Sequence, residues 1–594
     1  MTSRRFSCII PFKMSDPASP SSLTVIEVAM EIAFPPDFLE RLRARYGARP
    51  TRDAAMSTSV GGIGPLLRDR LVAQAEKGLR AIGVTFLYET TWIQSWFEWG
   101  QLHLEKRSVA PYLRESLRDS GLTLKVLMFD GHAVEVRVWQ LDVGKARVYF
   151  LDAPPITHVV YPSEEDAPHK TPNAPQWSED LRLRQSWLIG RGTLALLKAL
   201  EIAPELLVMS ETPTLFAHPR VAKDAFQTDP FFEKTRFIFN DHTPMEYAHP
   251  IWSTEIQTRV KLDVSMYSSP AGPSKTREDV DVTRLLIGLA DGVFGVSIKH
   301  ANVMRAMPSL KDYAAKIDSI TNGVSVDYWQ APEYRSASAV SDEELLKILD
   351  RKKAELLDWI WRTYGLWHTW KEQVRGKGVV LWTRRITGYK RLDLLHAICK
   401  DPALKKQFFE SQIVLLVGGR IHQHDDQAQA MIYNLLDLIS QDRILQERIV
   451  LLDNFNVWAA PRLFQGSDAA IMLADDGREA AATGFMKAQL NGDLVIATHD
   501  GAVPESVLFA GQEKAGQTPN GFEVAYHHGH PTPEGLLRAL KALHQTLENP
   551  AQHAAMKRSA FLAQEQVSIE RTLRDTLAFY QRILSRPSAV PIQS

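Results

Sequence analysis

An α/β class follows from three observations. Apolar runs of strand length recur along the chain, among them residues 81–88 (AIGVTFLY), 236–240 (RFIFN) and 412–418 (QIVLLVG). Amphipathic stretches of helical length stand between such runs, a long one covering residues 185–202. Composition is that of an ordinary globular chain, 45% hydrophobic and 23% charged, so neither disorder nor a membrane class is favoured. With 594 residues the length suggests roughly three to five units, and two large α/β domains fit as well.

The same numbers exclude several functions. Basic and acidic residues balance at 69 and 70, so nothing argues for a nucleic-acid partner. Two cysteines, Cys8 and Cys399, cannot build a disulfide framework or a zinc site, which suits the cytoplasm and predicts no metal. No apolar run approaches the roughly 18 residues of a membrane helix. The N-terminus has a basic start and a short apolar run broken by Pro11 and Lys13, followed by the Pro/Ser-rich DPASPSS. Residues 1–22 therefore read as a disordered lead-in rather than a signal peptide.

In chain order, ordered structure is expected from residues 22–34. The sequence SVGGIG at 59–64 then opens a helix over 65–79. Such a glycine turn can present N–H groups to an anion or sugar, although a plain tight turn is the simpler account. Strands are expected at 81–88, 122–129, 135–139 and 146–151, with Gly131, Gly144 and Pro154-Pro155 marking turns. A short strand at 206–209 follows the helix 185–202. The strand 236–240 feeds Asp241-His242-Thr243-Pro244. A histidine at the carboxyl end of an α/β strand lies where such sheets bind ligands, and a turn or capping role has equal weight. Residues 261–281 read as a polar loop, 282–296 as a helix passing into a strand, and Asn322-Gly323 as a turn. The charge-rich helix 341–364 ends near Gly365, which puts a domain boundary between 23–370 and 371–594.

The second half restarts with a strand at 379–382. Residues 383–391 (TRRITGYKR) then gather four cations in nine positions. Cations between a strand and a helix make a phosphate site, and a solvated basic loop is the equal alternative. Strands are expected at 412–418, 449–453 and 469–472. The stretch 478–501 (REAAATGFMKAQLNGDLVIATHDG) reads as a helix over 479–490 and a strand over 493–498. Its small residues let a ligand approach the backbone of a helix start. Lys487 could offer an amine to a carbonyl cofactor there, or be a solvated lysine on an Ala-rich helix. A strand at 521–525 and helices at 532–549 and 568–584 complete the chain. Cys399 reads as a buried thiol.

The stretch 478–501 resembles the pyridoxal-phosphate segment of the glycogen/starch/α-glucan phosphorylases, E-A-S-G-T-x-x-M-K-x-x-x-N-G followed by D-G. Glu479, Ala480, Thr483, Met486, Lys487, Asn491, Gly492, Asp500 and Gly501 fall at matching positions. Residues 320–329 (ITNGVSVDYW) resemble that family's I-T-N-G-V-H-x-x-x-W, and 384–391 its [KR]-R-x-x-x-Y-K-R. His242 matches the histidine of T-x-H-T, and SVGGIG resembles S-G-G-L-G after a Met30-Glu31-Ile32 remnant of M-E-F. The likeness runs in order from about Val28 to Gly501. Departures are Ala481-Ala482 for Ser-Gly, Phe485 for a small or polar residue, and Phe455 for a tyrosine. In the family's N-E-G-H-x-A-F, Glu211 and Phe216 keep their places but Pro213 replaces the histidine.

The resemblance implies a glycosyltransferase-B architecture, two Rossmann-like domains facing across a cleft. It also implies reversible, retaining phosphorolysis of an α-1,4-glucan or related oligosaccharide by inorganic phosphate, giving α-glucose 1-phosphate. Pyridoxal 5'-phosphate would be held covalently by Lys487, with Thr483, Gly484 and Arg384 beside it. Arg385 and Lys390 would hold phosphates, His242 would orient the sugar and Glu479 would take a sugar hydroxyl. Gly62, Gly64 and Asn322 would line the sugar site. A homodimer is compatible with this reading. Two alternatives stay open: a nucleotide-sugar transferase of the same fold without pyridoxal phosphate, and a non-catalytic glucan-binding protein.

Overall fold

The computed structural model describes residues 23–96, 102–167, 173–263, 268–269, 272–273, 279–337, 339–422, 425–453 and 455–587. The lead-in expected over 1–22, Cys8 and much of the loop 261–281 lie outside the described residues.

The first sheet has nine strands: β1 (Thr24–Val28), β2 (Arg80–Phe86), β3 (Arg118–Leu127), β4 (Ala133–Val143), β5 (Ala146–Asp152), β6 (Leu206–Ser210), β7 (Arg236–Asp241), β8 (Gly292–Gly295) and β9 (Ile317–Ser319). Their order is β9-β8-β7-β6-β1-β2-β5-β4-β3. The sheet is parallel from β9 to β5 and antiparallel from β5 to β3. The second sheet has six strands: β10 (Gly378–Thr383), β11 (Ile413–Gly418), β12 (Ile449–Leu452), β13 (Ala469–Met472), β14 (Leu494–Ala497) and β15 (Gly521–Glu523). Its order is β12-β11-β10-β13-β14-β15, all parallel. Parallel strands are covered by helices on both faces, which is why these runs are apolar throughout. Glu27 in β1 is one exception, and its buried carboxylate is met by Arg70 at 2.6 Å and Gln74 at 3.0 Å.

Two features were not anticipated from sequence. The segments Thr90–Trp96 and Leu102–Ser108 pair as an antiparallel hairpin that belongs to neither sheet. It reaches across to the second domain, where Leu102 and Leu104 join that domain's apolar core. The amide of Ile421 donates to the Gln94 side chain at 3.1 Å, and Arg420 donates to the carbonyls of Met56 and Trp92 at 2.8 and 2.9 Å. The second feature is the helix Ile569–Leu584, which returns to the first sheet. Phe579, Tyr580 and Ile583 pack there with Val25, Leu206, Ile238 and Phe294. The long helix also starts earlier than 185, at Ala174, because the Asn173 side chain accepts from the Gln176 amide and Pro175 suits a first turn. No helix among the described residues is long and apolar enough to cross a membrane.

Candidate functional site

The groups of interest follow the carboxyl ends of parallel strands in both sheets, where open α/β sheets bind ligands. From the first sheet come Glu31 after β1, Glu211 after β6 and His242 after β7; from the second come Arg384 and Arg385 after β10, Glu479 after β13 and Asp500 after β14. The two walls touch. Ser297 donates to the carbonyl of Ala480 at 2.6 Å, Lys299 pairs with Asp476 at 2.6 Å and Asp500 at 3.1 Å, and a Cβ on Gly62 would lie 3.7 Å from the Thr483 hydroxyl.

On the second wall, one carboxylate gathers the cations. Glu479 Oε2 accepts from Arg384 and, at 2.7 Å, from Lys390 Nζ. Burial raises the acid's pKa, but Lys390, Arg384 and Arg385 overcome it and hold Glu479 at about 2. Arg385 keeps an exposed side chain and faces Tyr389, Glu479 and Tyr161. A close approach makes this loop possible: a Cβ on Gly419 would sit 1.6 Å from the Arg384 carbonyl oxygen.

The helix after Glu479 begins at Thr483, four residues later than the pattern suggested. Residues 478 and 479 are withheld from it because their amides both donate to Asp500 Oδ2 at 2.9 Å. Ala482 then breaks the chain direction in the left-handed region, at φ 64° and ψ 54°. Gly484 packs against Met472, whose methyl would meet a Cβ at 2.5 Å. One turn on, Lys487 Nζ stands 4.0 Å from the centroid of the buried Trp329 ring. No carboxylate forms a salt bridge to it among the described residues. Burial lowers the amine to about 8, with Asp69 opposing and Arg68 assisting. Trp329 is fixed from the first domain, its indole N–H donating to Asp69 at 3.0 Å, while Arg68 pairs with Asp69 at 2.5 Å and lies 3.8 Å over Tyr328.

On the first wall, burial disfavours the charged forms of the titratable groups. Burial, with Arg70 and His300, holds the His242 imidazole well below its usual pKa, so it is neutral. Its Nε2 lies 2.8 Å from Asn240 Oδ1. That oxygen already accepts from Arg70 while the Asn240 amide donates to the Phe294 carbonyl, so Nε2 carries the proton and Nδ1 is left as an acceptor. Glu211 accepts from the His242 amide at 2.7 Å and the Thr243 hydroxyl at 3.0 Å. Burial raises its carboxyl, with Thr243, His242 and Arg385 opposing. Glu211 sits at φ 68° and ψ 160°, a region nearly reserved for glycine.

The structure thus brings His242, Arg384, Arg385, Lys390, Glu479, Thr483, Gly484, Lys487 and Gly62 to one cleft. It sets Gly64 and Asn322 apart. Gly64 is a packing glycine, since a Cβ there would lie 2.3 Å from the Thr58 carbonyl oxygen. Asn322 is buried with its carbonyl accepting from Arg571 at 2.8 Å. The glycine loop is also less available to a ligand than its sequence suggests, because the Glu31 carboxylate already accepts from Val60 at 2.7 Å and Gly61 at 3.5 Å. Sequence reasoning did not assign Glu211, Glu31 or the Arg68–Asp69 pair to the site. The run Arg68-Asp69-Arg70 inside the largely buried helix Ile63–Glu76 was the available signal for the last.

The residues fit pyridoxal 5'-phosphate at both of its ends. A partly neutral amine over an aromatic ring suits its carbonyl, and a helix start with three nearby cations suits its phosphate.

The fold is glycosyltransferase-B. The catalytic domain of starch synthase IV from Arabidopsis thaliana, solved with ADP and acarbose, superposes with a TM-score of 0.69 at 17% identity, covering 95% of this chain and all of that one. Residues 332–561 match the family model of carbohydrate phosphorylases. Glycogen phosphorylase of Aquifex aeolicus is 26% identical over 504 residues, 74% of this chain and 71% of its own length. Maltodextrin phosphorylase of Thermococcus litoralis is 22% identical over 506 residues, 74% of this chain and 58% of its own. These likenesses support a divergent relationship of this chain to the carbohydrate phosphorylases.

Proposed function

We propose that this protein catalyses reversible, retaining phosphorolysis of an α-1,4-glucan or related oligosaccharide by inorganic phosphate, with pyridoxal 5'-phosphate held by Lys487. The observation that carries the reading is the second wall itself: an amine lowered to about 8, a helix start at Thr483 and three cations around Glu479. Arg384, Arg385 and Lys390 against one carboxylate leave an excess of two positive charges, which a phosphate dianion matches. Arg385, exposed and without a salt bridge among the described residues, is the first ligand for the substrate phosphate. Neutral His242 accepts a sugar hydroxyl at Nδ1, and ionised Glu479 accepts another. When bound, the cofactor supplies a phosphate that exchanges a proton with the substrate phosphate. Thr483 and the Gly484 amide donate at the helix start, and Lys390 and Arg384 keep charge of opposite sign beside both phosphates.

The test is borohydride reduction followed by peptide mass mapping, together with assay of glucose 1-phosphate from maltooligosaccharides. A pyridoxyl group on Lys487 and phosphate-dependent release of glucose 1-phosphate are expected. An unmodified Lys487 after incubation with pyridoxal phosphate, with transfer from a nucleotide sugar instead, would overturn the reading.

A further inference from the structure

Most large apolar side chains are buried, and Tyr247 stands out among the exposed ones at 74%. It lies in a single 3-10 turn, Glu246–Ala248, on the loop that begins at His242. The ring is held rather than free. Its hydroxyl is 2.8 Å from Met245 Sδ, and Glu246 beside it accepts from the Ser309 amide at 2.8 Å. Across the cleft, the Arg478 guanidinium is 5.9 Å from the ring centroid. Arg478 is itself exposed and forms no salt bridge among the described residues, while its amide is fixed on Asp500. In sequence, Tyr247 follows His242 by five positions and Arg478 directly precedes Glu479.

An exposed, immobilised aromatic face is costly in water and is suited to the apolar C–H face of a pyranose ring. An unpaired guanidinium next to it offers several donors to the ring hydroxyls. We propose that Tyr247 and Arg478 form a binding platform for a neutral glucose unit of the glucan, one step out from the units held by His242 and Glu479. This rests on the phosphorolysis reading for the identity of the sugar. The tyrosine acts through its face, since its hydroxyl is engaged by Met245.

Calorimetric titration with maltoheptaose and, separately, with inorganic phosphate tests it on the full chain. Tyr247→Ala is expected to weaken maltoheptaose binding about tenfold, the size of one good aromatic contact. Tyr247→Phe should stay within about twofold, and Arg478→Ala should fall between the two, with phosphate affinity unchanged throughout. Because the ring is exposed, the melting temperature of Tyr247→Ala should match the parent. Equal maltoheptaose affinity in Tyr247→Ala and parent would overturn the platform and leave phosphorolysis standing. A parent protein that binds phosphate but no maltoheptaose would overturn both.

Discussion

The two walls of the cleft solve the burial of polar groups in opposite ways. The second wall keeps its charges and pairs them, Arg384 and Lys390 sharing one Glu479 oxygen. The first wall gives charge up: His242 is neutral and the Glu211 and Asp241 carboxyls are pushed upward by burial. A wall of paired cations facing one whose histidine is neutral and whose carboxyls are pushed upward suits a reaction in which an anion meets a neutral sugar. The fixed charges then favour the anion without competing for the sugar's hydroxyls. Lys487 is the point where the two solutions meet, a cation of the second wall whose charge is weakened by burial next to the first wall's Trp329.

Breaking the second wall should have the larger effects. Lys487→Ala is expected to abolish both the pyridoxyl peptide and phosphorolysis, read by mass mapping and release of glucose 1-phosphate. Glu479→Gln leaves two buried cations without their carboxylate and should destabilise the fold by roughly 3–5 kcal/mol in urea titration. Added phosphate should recover part of that loss by binding the freed cations. The pH dependence follows the same pairing. The Glu479 pKa is lowered from its ordinary value of 4.5 to about 2. Its stabilisation is therefore complete above the unfolded value and is lost as pH falls towards 2, which acid titration of the parent against Glu479→Gln would show.

Sharper still is the amine. The folded Lys487 titrates near 8 instead of 10.5, so the rate of pyridoxal phosphate capture should rise with a midpoint near pH 8. The sign for stability is the reverse of a paired lysine: between 8 and 10.5 the unfolded chain holds a proton that the folded chain has lost, so stability rises with pH across that window. The smallest effect belongs to the backbone. Ala482→Gly removes a left-handed alanine and should stabilise by about 0.5–1 kcal/mol, after the greater freedom of glycine in the unfolded chain is subtracted.

Much of this was legible beforehand because it is local. Apolar runs such as QIVLLVG gave strands within a residue or two, and TRRITGYKR and the segment around Lys487 marked the cationic wall. The misses depend on distant partners. The helix was placed four residues early because its alanines favour helix, whereas Asp500 captures the amides of 478 and 479. Gly64 matched a family motif but serves packing against Thr58. Glu31 and Glu211 are ordinary residues in one dimension, and only the loops folded around them show that each fills its wall. The hairpin Thr90–Ser108 has no local reason to leave its sheet; its partners, Gly419–Ile421, lie hundreds of positions away.

The helix Ile569–Leu584 covers a face of the sheet whose strands were all made before the second domain began. During synthesis on the ribosome, Val25, Leu206, Ile238 and Phe294 are therefore available long before Phe579 and Ile583 exist to shield them. The nascent first domain has an apolar flank that must wait for that helix. Its folding is thus tied to synthesis of the helix Ile569–Leu584, and chaperone demand should peak in that interval.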